Sequence, residues 1–315
     1  MKKRTISLLL IAILLIVSLS ACNSGTTNIK MATGGTTGTY YAYGGVISQM
    51  IGGKMSNVTF DVQSSGASKA NIYLVSDGEV DMALVQNDVM AYAHNGTDLF
   101  DGEVIDNFSA MAGLYAEVCQ VISTTDITDI SDLKGKRVSV GDAGSGVEFN
   151  TRQILAAYGI SFDDVIVQHL SFADSATAFK DGKIDAFFCT AGAPTTAIVE
   201  LTTTQKINIL SIDDEHADAL ISAYPFYTKF SIPGGSYSGI SEDVQTVAVT
   251  ATFIVSNDLS EDIVYEMTKN IFENAEEISV AHAKGTELDP AYAVAGISIP
   301  IHPGAEKYFK EIGVL

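Results

Sequence analysis

The chain has 315 residues, 47% of them hydrophobic, and carries 38 acidic against 18 basic side chains for a formal net charge of −20. That length can hold a large core and two domains. The acidic balance argues against nucleic acid as a partner, because phosphate binding rests on Lys and Arg. The three cysteines and five histidines form no CxxC and no Cys/His cluster, so neither a metal site nor a cofactor is expected.

The chain opens with Lys2, Lys3 and Arg4, followed by an apolar run over 6–19. The run is too short and too close to the amino terminus for a secure membrane span, and it fits a secretory leader over 1–21. Its last four residues, Leu19-Ser20-Ala21-Cys22, resemble the lipobox of bacterial lipoproteins. That resemblance implies cleavage before Cys22 and lipidation of Cys22. Residues 22–28 then form a polar tether, and the protein is extracytoplasmic and anchored to the cell membrane. Several acyl chains on one residue hold a protein stably where a single chain does not.

A strand-like run over 28–31 leads into Ala32-Thr33-Gly34-Gly35-Thr36-Thr37-Gly38-Thr39-Tyr40-Tyr41, and helical spacing follows over 40–50. Glycines here allow positive φ and close approach of a guest. The free N–H groups of the next helix, at the positive end of its dipole, point into the same space. Together they make a seat for an anionic or strongly hydrogen-bonding group. Alternation over 57–63 predicts a strand, and Ser64, Ser65 and Ser68 are candidate caps of the following helix. Residues 80–85 read as a buried strand with Gln86-Asn87-Asp88 at its carboxyl end. Strands are expected over 108–114 and 118–123, the latter crossing into a second lobe.

The layout then repeats. Ser139-Val140-Gly141-Asp142-Ala143-Gly144-Ser145-Gly146 is again strand, glycine loop and helix. Ser76-Asp77-Gly78-Glu79-Val80-Asp81 and Lys180-Asp181-Gly182-Lys183-Ile184-Asp185 are matching phrases at nearly equal offsets from their glycine loops. Gly78 and Gly182 read as left-handed helix stops. Two similar α/β lobes follow, each with a polar loop at the carboxyl end of its first strand, the edge where open α/β sheets bind ligands. Within the second lobe, strands are predicted over 165–170, 184–188 and 207–212, and helices over 172–179 and 214–223. Pro194 suits the first turn of a helix running to Leu201, and 224–239 reads as a long loop. A strand over 244–256 returns to the first lobe. An apolar stripe predicts one long helix over 260–281, and a short helix over 305–312 closes the chain. Lobe 1 is thus 29–117 with 250–315, lobe 2 is 118–249, and two connecting segments form a hinge. Cys119 and Cys189 lie in apolar runs and read as buried thiols, although an oxidising compartment permits a disulfide between them.

Enzyme signatures are missing. Ala143-Gly144-Ser145-Gly146-Val147 lacks the first glycine of a nucleophile elbow. The five histidines form no triad pattern, and no Gly-Lys-Ser/Thr follows either glycine loop.

Several segments together resemble the TAXI-type solute receptors of tripartite ATP-independent periplasmic (TRAP) transporters. They begin with Thr33-Gly34-Gly35-Thr36-Thr37-Gly38-Thr39-Tyr40-Tyr41, Ser65-Gly66-Ala67-Ser68 with Asn71, and Gln86-Asn87-Asp88. Leu133-Lys134-Gly135-Lys136-Arg137-Val138, Gly144-Ser145-Gly146, Asp185-Ala186-Phe187-Phe188 and Gly192-Ala193-Pro194 follow. Tyr237 in its Ile-Pro-Gly loop and Ile299-Pro300-Ile301-His302-Pro303-Gly304-Ala305 complete the set. Val147 stands where the family often has threonine, and Ala42 where it often has proline. The resemblance spans about 29–313 and implies an α/β, two-lobe periplasmic-binding-protein fold of type II. It also implies a non-enzymatic receptor that hands a small anionic solute to the membrane permease subunits of a TRAP transporter. The solute class is an acidic amino acid such as glutamate, or a dicarboxylate such as 2-oxoglutarate.

On this reading, backbone amides and hydroxyls of the stretch Thr36, Thr37, Gly38, Thr39 and Tyr40, and of Ser145 and Gly146, bind the carboxylate. Ser64, Ser65, Gln86 and Thr190 add polar contacts, Tyr40 and Tyr224 close apolar faces, and Pro194 shapes the second lobe's edge. Arg152, about two turns into its helix, is expected to serve a structural ion pair. A sensory receptor of the same fold and a secreted enzyme are the competing readings.

Overall fold

The computed structural model describes residues 26–315, so the leader over 1–21 and the lipidation site Cys22 lie outside the described residues. The chain begins with β1 (Thr27–Ala32), α1 (Thr39–Lys54), β2 (Val58–Gln63), α2 (Ser68–Ser76), β3 (Met82–Gln86) and α3 (Asn87–Asn95). The long β4 (Phe108–Ser123) leads to β5 (Arg137–Ser139), α4 (Gly146–Ala157), β6 (Ile166–Gln168), α5 (Phe172–Lys180), β7 (Ala186–Ala191) and α6 (Thr196–Thr202). Next come β8 (Asn208–Ile209), α7 (Asp214–Ala223), β9 (Thr228–Ile232) and a second long strand, β10 (Val244–Ser256). The chain ends with α8 (Glu261–Glu273), α9 (Ala275–Ala281), α10 (Pro290–Ala295) and α11 (Pro303–Glu311).

One sheet runs through the molecule in the order β2-β1-β3-β10-β4-β7-β5-β6, with β8 beside β4 and β9 beside β10. Parallel strands lie on either flank, β1 between β2 and β3, and β5 between β6 and β7. The two long strands join the flanks: β10 pairs antiparallel with β3 and β4, and β4 pairs antiparallel with β7. Strands buried on both faces read as continuous apolar runs, and side chains alternate between those faces. Accordingly Met82 and Leu84 of β3 join one apolar cluster with Tyr43, Ile47, Met267 and Phe309, while Ala83 and Val85 join another with Ile72 and Val89. Beyond the middle of the sheet the pattern recurs with different partners. Cys119 and Val121 of β4 pack with Ile154 and Leu220, and Val118 and Ile122 pack with Ile198 and Leu201. The switch between cluster pairs falls after Tyr115 in β4 and after Val249 in β10. These positions are close neighbours across the ladder, where Val249 faces Glu117 and Thr250 faces Ala116.

Local rules account for most element boundaries. Gly78 and Gly182 adopt φ of +70° and +65° just after α2 and α5, as expected of left-handed stops. Ser260 caps α8 by accepting from the Ile263 N–H, and Glu261 and Asp262 complement the helix dipole in its first turn.

Several expectations are corrected. Residues 108–123 form one strand, because the ladder continues through Ala116 and Glu117, which lie between the two strands expected. The helix expected over 260–281 is two, broken where Asn274 leaves helical geometry at φ −116°, ψ 25° and donates through Nδ2 to the Asn270 carbonyl. The loop expected over 224–239 contains β9, whose mostly exposed side chains hid its pairing with β10. α6 starts at Thr196, so Pro194 precedes the capping residue Thr195 and lies outside the helix. In the first glycine loop, Gly34, Gly35 and Gly38 do not take positive φ, whereas Gly141 and Gly144 of the second loop do. Cys119 and Cys189 are both free and buried.

Candidate functional site

A cavity of about 40 Å³ lies where the two flanks of the sheet meet. One flank contributes Gly34, Gly38, Thr39 and Tyr40 from the β1–α1 junction, Ala67 and Ser68 at the start of α2, and Gln86 at the end of β3. The other contributes Gly146 and Val147 at the start of α4, Phe172 at the start of α5, and Thr190 and Ala191 at the end of β7. The central strand β4 supplies Glu117. The site therefore occupies the carboxyl edge of the parallel strands, the ligand edge of open α/β sheets. Each water-sized group occupies about 30 Å³ in bulk, and a cavity holds one when about 10–15 Å³ is accessible to its centre. The space thus suits about three such groups.

The two long helices that open onto the cavity differ in their starts. α1 has no side-chain cap on its first-turn N–H groups and no acidic residue there. α4 is capped by Ser145, whose Oγ accepts from the Glu148 N–H at 3.2 Å. That bond leaves the amides of Gly146 and Val147 uncapped by Ser145, and both residues line the cavity. Unsatisfied amides at the positive end of a helix dipole favour an anion.

Backbone geometry around α2 is specialised. Ala67 lines the cavity at φ +64°, ψ −149°, a conformation that costs a non-glycine residue on the order of 1–3 kcal/mol and concentrates at functional sites. Its neighbours hold it there. Asn71, fully buried, donates through Nδ2 to the carbonyls of Thr33 at 2.6 Å and Leu84 at 2.7 Å. Ser65 Oγ lies 2.6 Å from Asn71 Oδ1 and accepts from the Ala67 N–H. Ser68 Oγ accepts from the Gln86 N–H at 3.1 Å, which ties α2 to the end of β3.

Two polar side chains stand out in the wall. Glu117 is only 2% exposed, and its Oε2 accepts from the Tyr40 hydroxyl at 2.8 Å. Burial pushes its carboxyl up to about 8; the Tyr40 hydrogen bond opposes this, nearby Asp88 adds to it, and the charge of Lys284 opposes it more weakly. Gln86, 3% exposed, has an Oε1 with no hydrogen-bond partner. Its carboxamide lies against Gly146 of the opposite flank, in the place a β-carbon would take.

The flanks are in direct contact around this cavity. Thr39 Oγ1 donates to the Gly192 carbonyl at 3.2 Å. Asn150 Nδ2 of α4 reaches Asp88 Oδ2 of α3 at 3.2 Å and the Tyr227 hydroxyl at 2.8 Å. Gln153 Nε2 reaches the Tyr92 hydroxyl at 3.2 Å, and Tyr227 donates to Gln153 Oε1 at 2.6 Å. Asp88 is buried in this junction, which pushes its carboxyl up to about 6.

Of the residues singled out in the sequence, the structure gathers Gly38, Tyr40, Gln86, Gly146 and Thr190 around the cavity. Thr36 and Ser64 are exposed, Thr37 is half-buried, and none of the three lines it. Ser65 and Ser145 spend their hydroxyls on the local bonds described above. Pro194 is exposed beyond the end of β7, and Tyr224 packs edge-on against Tyr227 with ring centroids 6.4 Å apart. Arg152 sits over the Phe162 ring at 3.9 Å and 3.4 Å from Glu148 Oε1, away from the cavity. Thr39, within the expected Thr36 to Tyr40 stretch, also lines the cavity, whereas Phe172 and above all Glu117 were missed. A lone charged residue in the largely apolar run 108–123 was the available signal for Glu117. Among the described residues no group of three or more His, Cys, Asp or Glu could hold a metal ion.

The architecture is that of the periplasmic solute-binding proteins. The alkanesulfonate-binding protein SsuA from Xanthomonas axonopodis pv. citri, bound to MOPS, aligns over 91% of this chain and 84% of its own at TM-score 0.53 and 12% identity. The ligand-binding component of an ABC-type import system from Staphylococcus aureus aligns over 91% and 90% at TM-score 0.51 and 9% identity. The substrate-binding protein of an amino acid ABC transporter aligns over 83% of this chain and all of its own, at TM-score 0.50 and 14% identity. At these identities the likeness is one of fold. By sequence, residues 31–313 match the model of the NMT1-like family, and the chain belongs to that family.

Proposed function

We propose that this protein is an extracytoplasmic solute-binding receptor, tethered through lipid on Cys22, that delivers a small carboxylate-bearing solute to a membrane permease. The observation that carries the reading is a cavity lined from both flanks at the carboxyl edge of the parallel strands, with the starts of α1 and α4 opening onto it. Such a seat holds a carboxylate through main-chain amides, which suits a wall that includes no Lys or Arg. The lobes are 29–117 with 250–315, and 118–249. They hinge where β4 and β10 pass from one flank to the other, and closure brings both onto one solute. Delivery to a TRAP-type permease rests on the segment resemblance, and glutamate and 2-oxoglutarate are the first solutes to test. Neither Cys nor His lines the cavity, and no Ser or Thr hydroxyl of its wall is bonded to a carboxylate; the hydroxyl that is, on Tyr40, belongs to a buried phenol whose pKa burial raises, which favours binding over catalysis.

The test is a thermal-shift screen of amino acids and dicarboxylates, followed by uptake into vesicles carrying the permease subunits. A ligand at one hundred times its Kd should stabilise the protein by about 2.7 kcal/mol, and uptake should require the receptor. A screen in which no small carboxylate raises Tm overturns the reading.

A further inference from the structure

The cavity has a mouth. All but three of the residues that line it are buried; Gly35 is exposed, and Ala67 and Phe172 are half-buried. These three are neighbours around one opening. The Gly35 carbonyl accepts from the Gly38 N–H at 2.9 Å, a β-carbon on Gly38 would lie 3.6 Å from Cδ2 and Cε2 of Phe172, and one on Gly34 would lie 3.8 Å from Cβ of Ala67. A β-carbon on Gly35 itself would meet nothing within 4 Å, so the space there is open. Gly35 and Ala67 bring at most a methyl group to this rim, which leaves Phe172 as its bulky member. Phe172 is held from the second flank. Ser171 Oγ caps α5 by accepting from the Asp174 N–H at 3.2 Å, and the ring packs against both apolar clusters of that flank. Its Cδ2–Cε2 edge reaches across to Gly38 of the first flank.

We propose, resting on the receptor reading above, that Phe172 is a specificity-determining residue that sets the chain length the closed receptor accepts. With its other walls buried, the cavity of about 40 Å³ can let a solute extend outward only at this rim. A carboxylate seated on the amides that open α1 and α4 keeps its tail inside when the chain is short. A longer tail meets the Phe172 ring and must lift it from Gly38, which parts the flanks where they close. The ring thus turns a difference of one methylene into a difference in closure, and the class it selects is the short-chain carboxylates. Gly35 contributes by leaving the rim open. Its φ is outside the left-handed region, so a side chain there would add bulk without backbone strain.

The test is calorimetric titration of the full mature protein with three homologous series: acetate to hexanoate, malonate to adipate, and L-aspartate to L-2-aminoadipate. In the series that binds, affinity should break at one chain length. The first homologue past the break should bind about 10- to 200-fold more weakly than the one before it, the range for one methylene in a fitted pocket. Phe172→Ala should move the break at least one methylene longer, and Gly35→Val, which adds bulk to the open side of the rim, should move it shorter. Three results overturn the inference while the receptor reading stands. One is a binding series with no break. Another is a break at the same length in wild type and both variants. The third is Phe172→Ala weakening every homologue by one common factor, as expected of a ring that only packs the flanks together. If no compound of any series binds, the inference and the receptor reading fall together. Should Phe172→Ala not fold, Gly35→Val decides alone, because it leaves the ring and its packing in place.

Discussion

Gly146→Ala separates closure of the two flanks from the stability of either. Gly146 is the first residue of α4 and is not in the left-handed region, so alanine meets no backbone strain there. Replacing glycine at a compatible position stabilises by about 0.4–1 kcal/mol through the unfolded chain. Across the cleft the added methyl has no room. It would fall on Gln86 Oε1, 2.5 Å from Cδ and 3.0 Å from Nε2. Gln86 could swing aside, but it is 97% buried by neighbours and the open space beside it is the cavity of about 40 Å³. Either the flanks stay apart or the carboxamide fills the solute's place. Overpacking of this kind costs about 1–3 kcal/mol, felt only in the closed form, which corresponds to about a 5- to 140-fold loss of affinity. The unliganded protein should melt no lower than wild type. Calorimetric Kd values and thermal unfolding of Gly146→Ala, Gln86→Ala and the double variant would measure this. The double variant should lose less affinity than the two single losses combined, because removing Gln86 makes room for the methyl. A Kd for Gly146→Ala within twofold of wild type, or a lowered Tm with unchanged Kd, would refute the reasoning.

Three further outcomes concern the junction between the flanks, the buried carboxylates and Arg152. Asn150→Ala removes the donor shared by Asp88 and Tyr227 without touching the cavity wall. Losing about 1–2 kcal/mol of closed-state bonding should weaken solute binding by about 5- to 30-fold, with a more open form by small-angle scattering. Asp88 and Glu117 have folded-state values near 6 and 8, raised by burial above their ordinary values of 3.8 and 4.5. The unfolded chain therefore ionises first. Stability should fall as pH rises from about 4, and each contribution should level off above the folded value, near 6 for Asp88 and near 8 for Glu117. Asp88→Asn should remove the lower part, on the order of 3 kcal/mol, in denaturant unfolding from pH 4 to 7. Arg152→Ala, which removes a half-exposed arginine lying over Phe162, should leave the Kd unchanged within twofold by calorimetry.

Local signals carried much of the fold. The stops at Gly78 and Gly182, the buried runs around 80–85 and 184–188 and the long strand over 244–256 are readable because each depends on neighbours close in the chain. Where a segment's fate depended on distant partners, reading failed. β9 is a strand because β10 lies beside it, and its own side chains are mostly exposed. The 260–281 stripe kept helical spacing through Asn274, while the backbone turned there to start α9.

The candidate site divides in the same way. Gly38, Tyr40, Gln86, Gly146 and Thr190 were legible because they stand at strand ends and helix starts, which the chain order alone locates. By itself the sequence determined two α/β units with paired polar edges, since periodicity, glycine stops and spacing are local and additive along the chain. Only the tertiary structure decided what those edges enclose. Glu117 became part of the wall, and Lys284 was bound to Glu287, because β4 passes between the flanks and the 283–287 turn packs beside it. Burial, which sets the charge of a carboxylate and the worth of an unpaired oxygen, is a property of the assembled neighbours and of no single stretch.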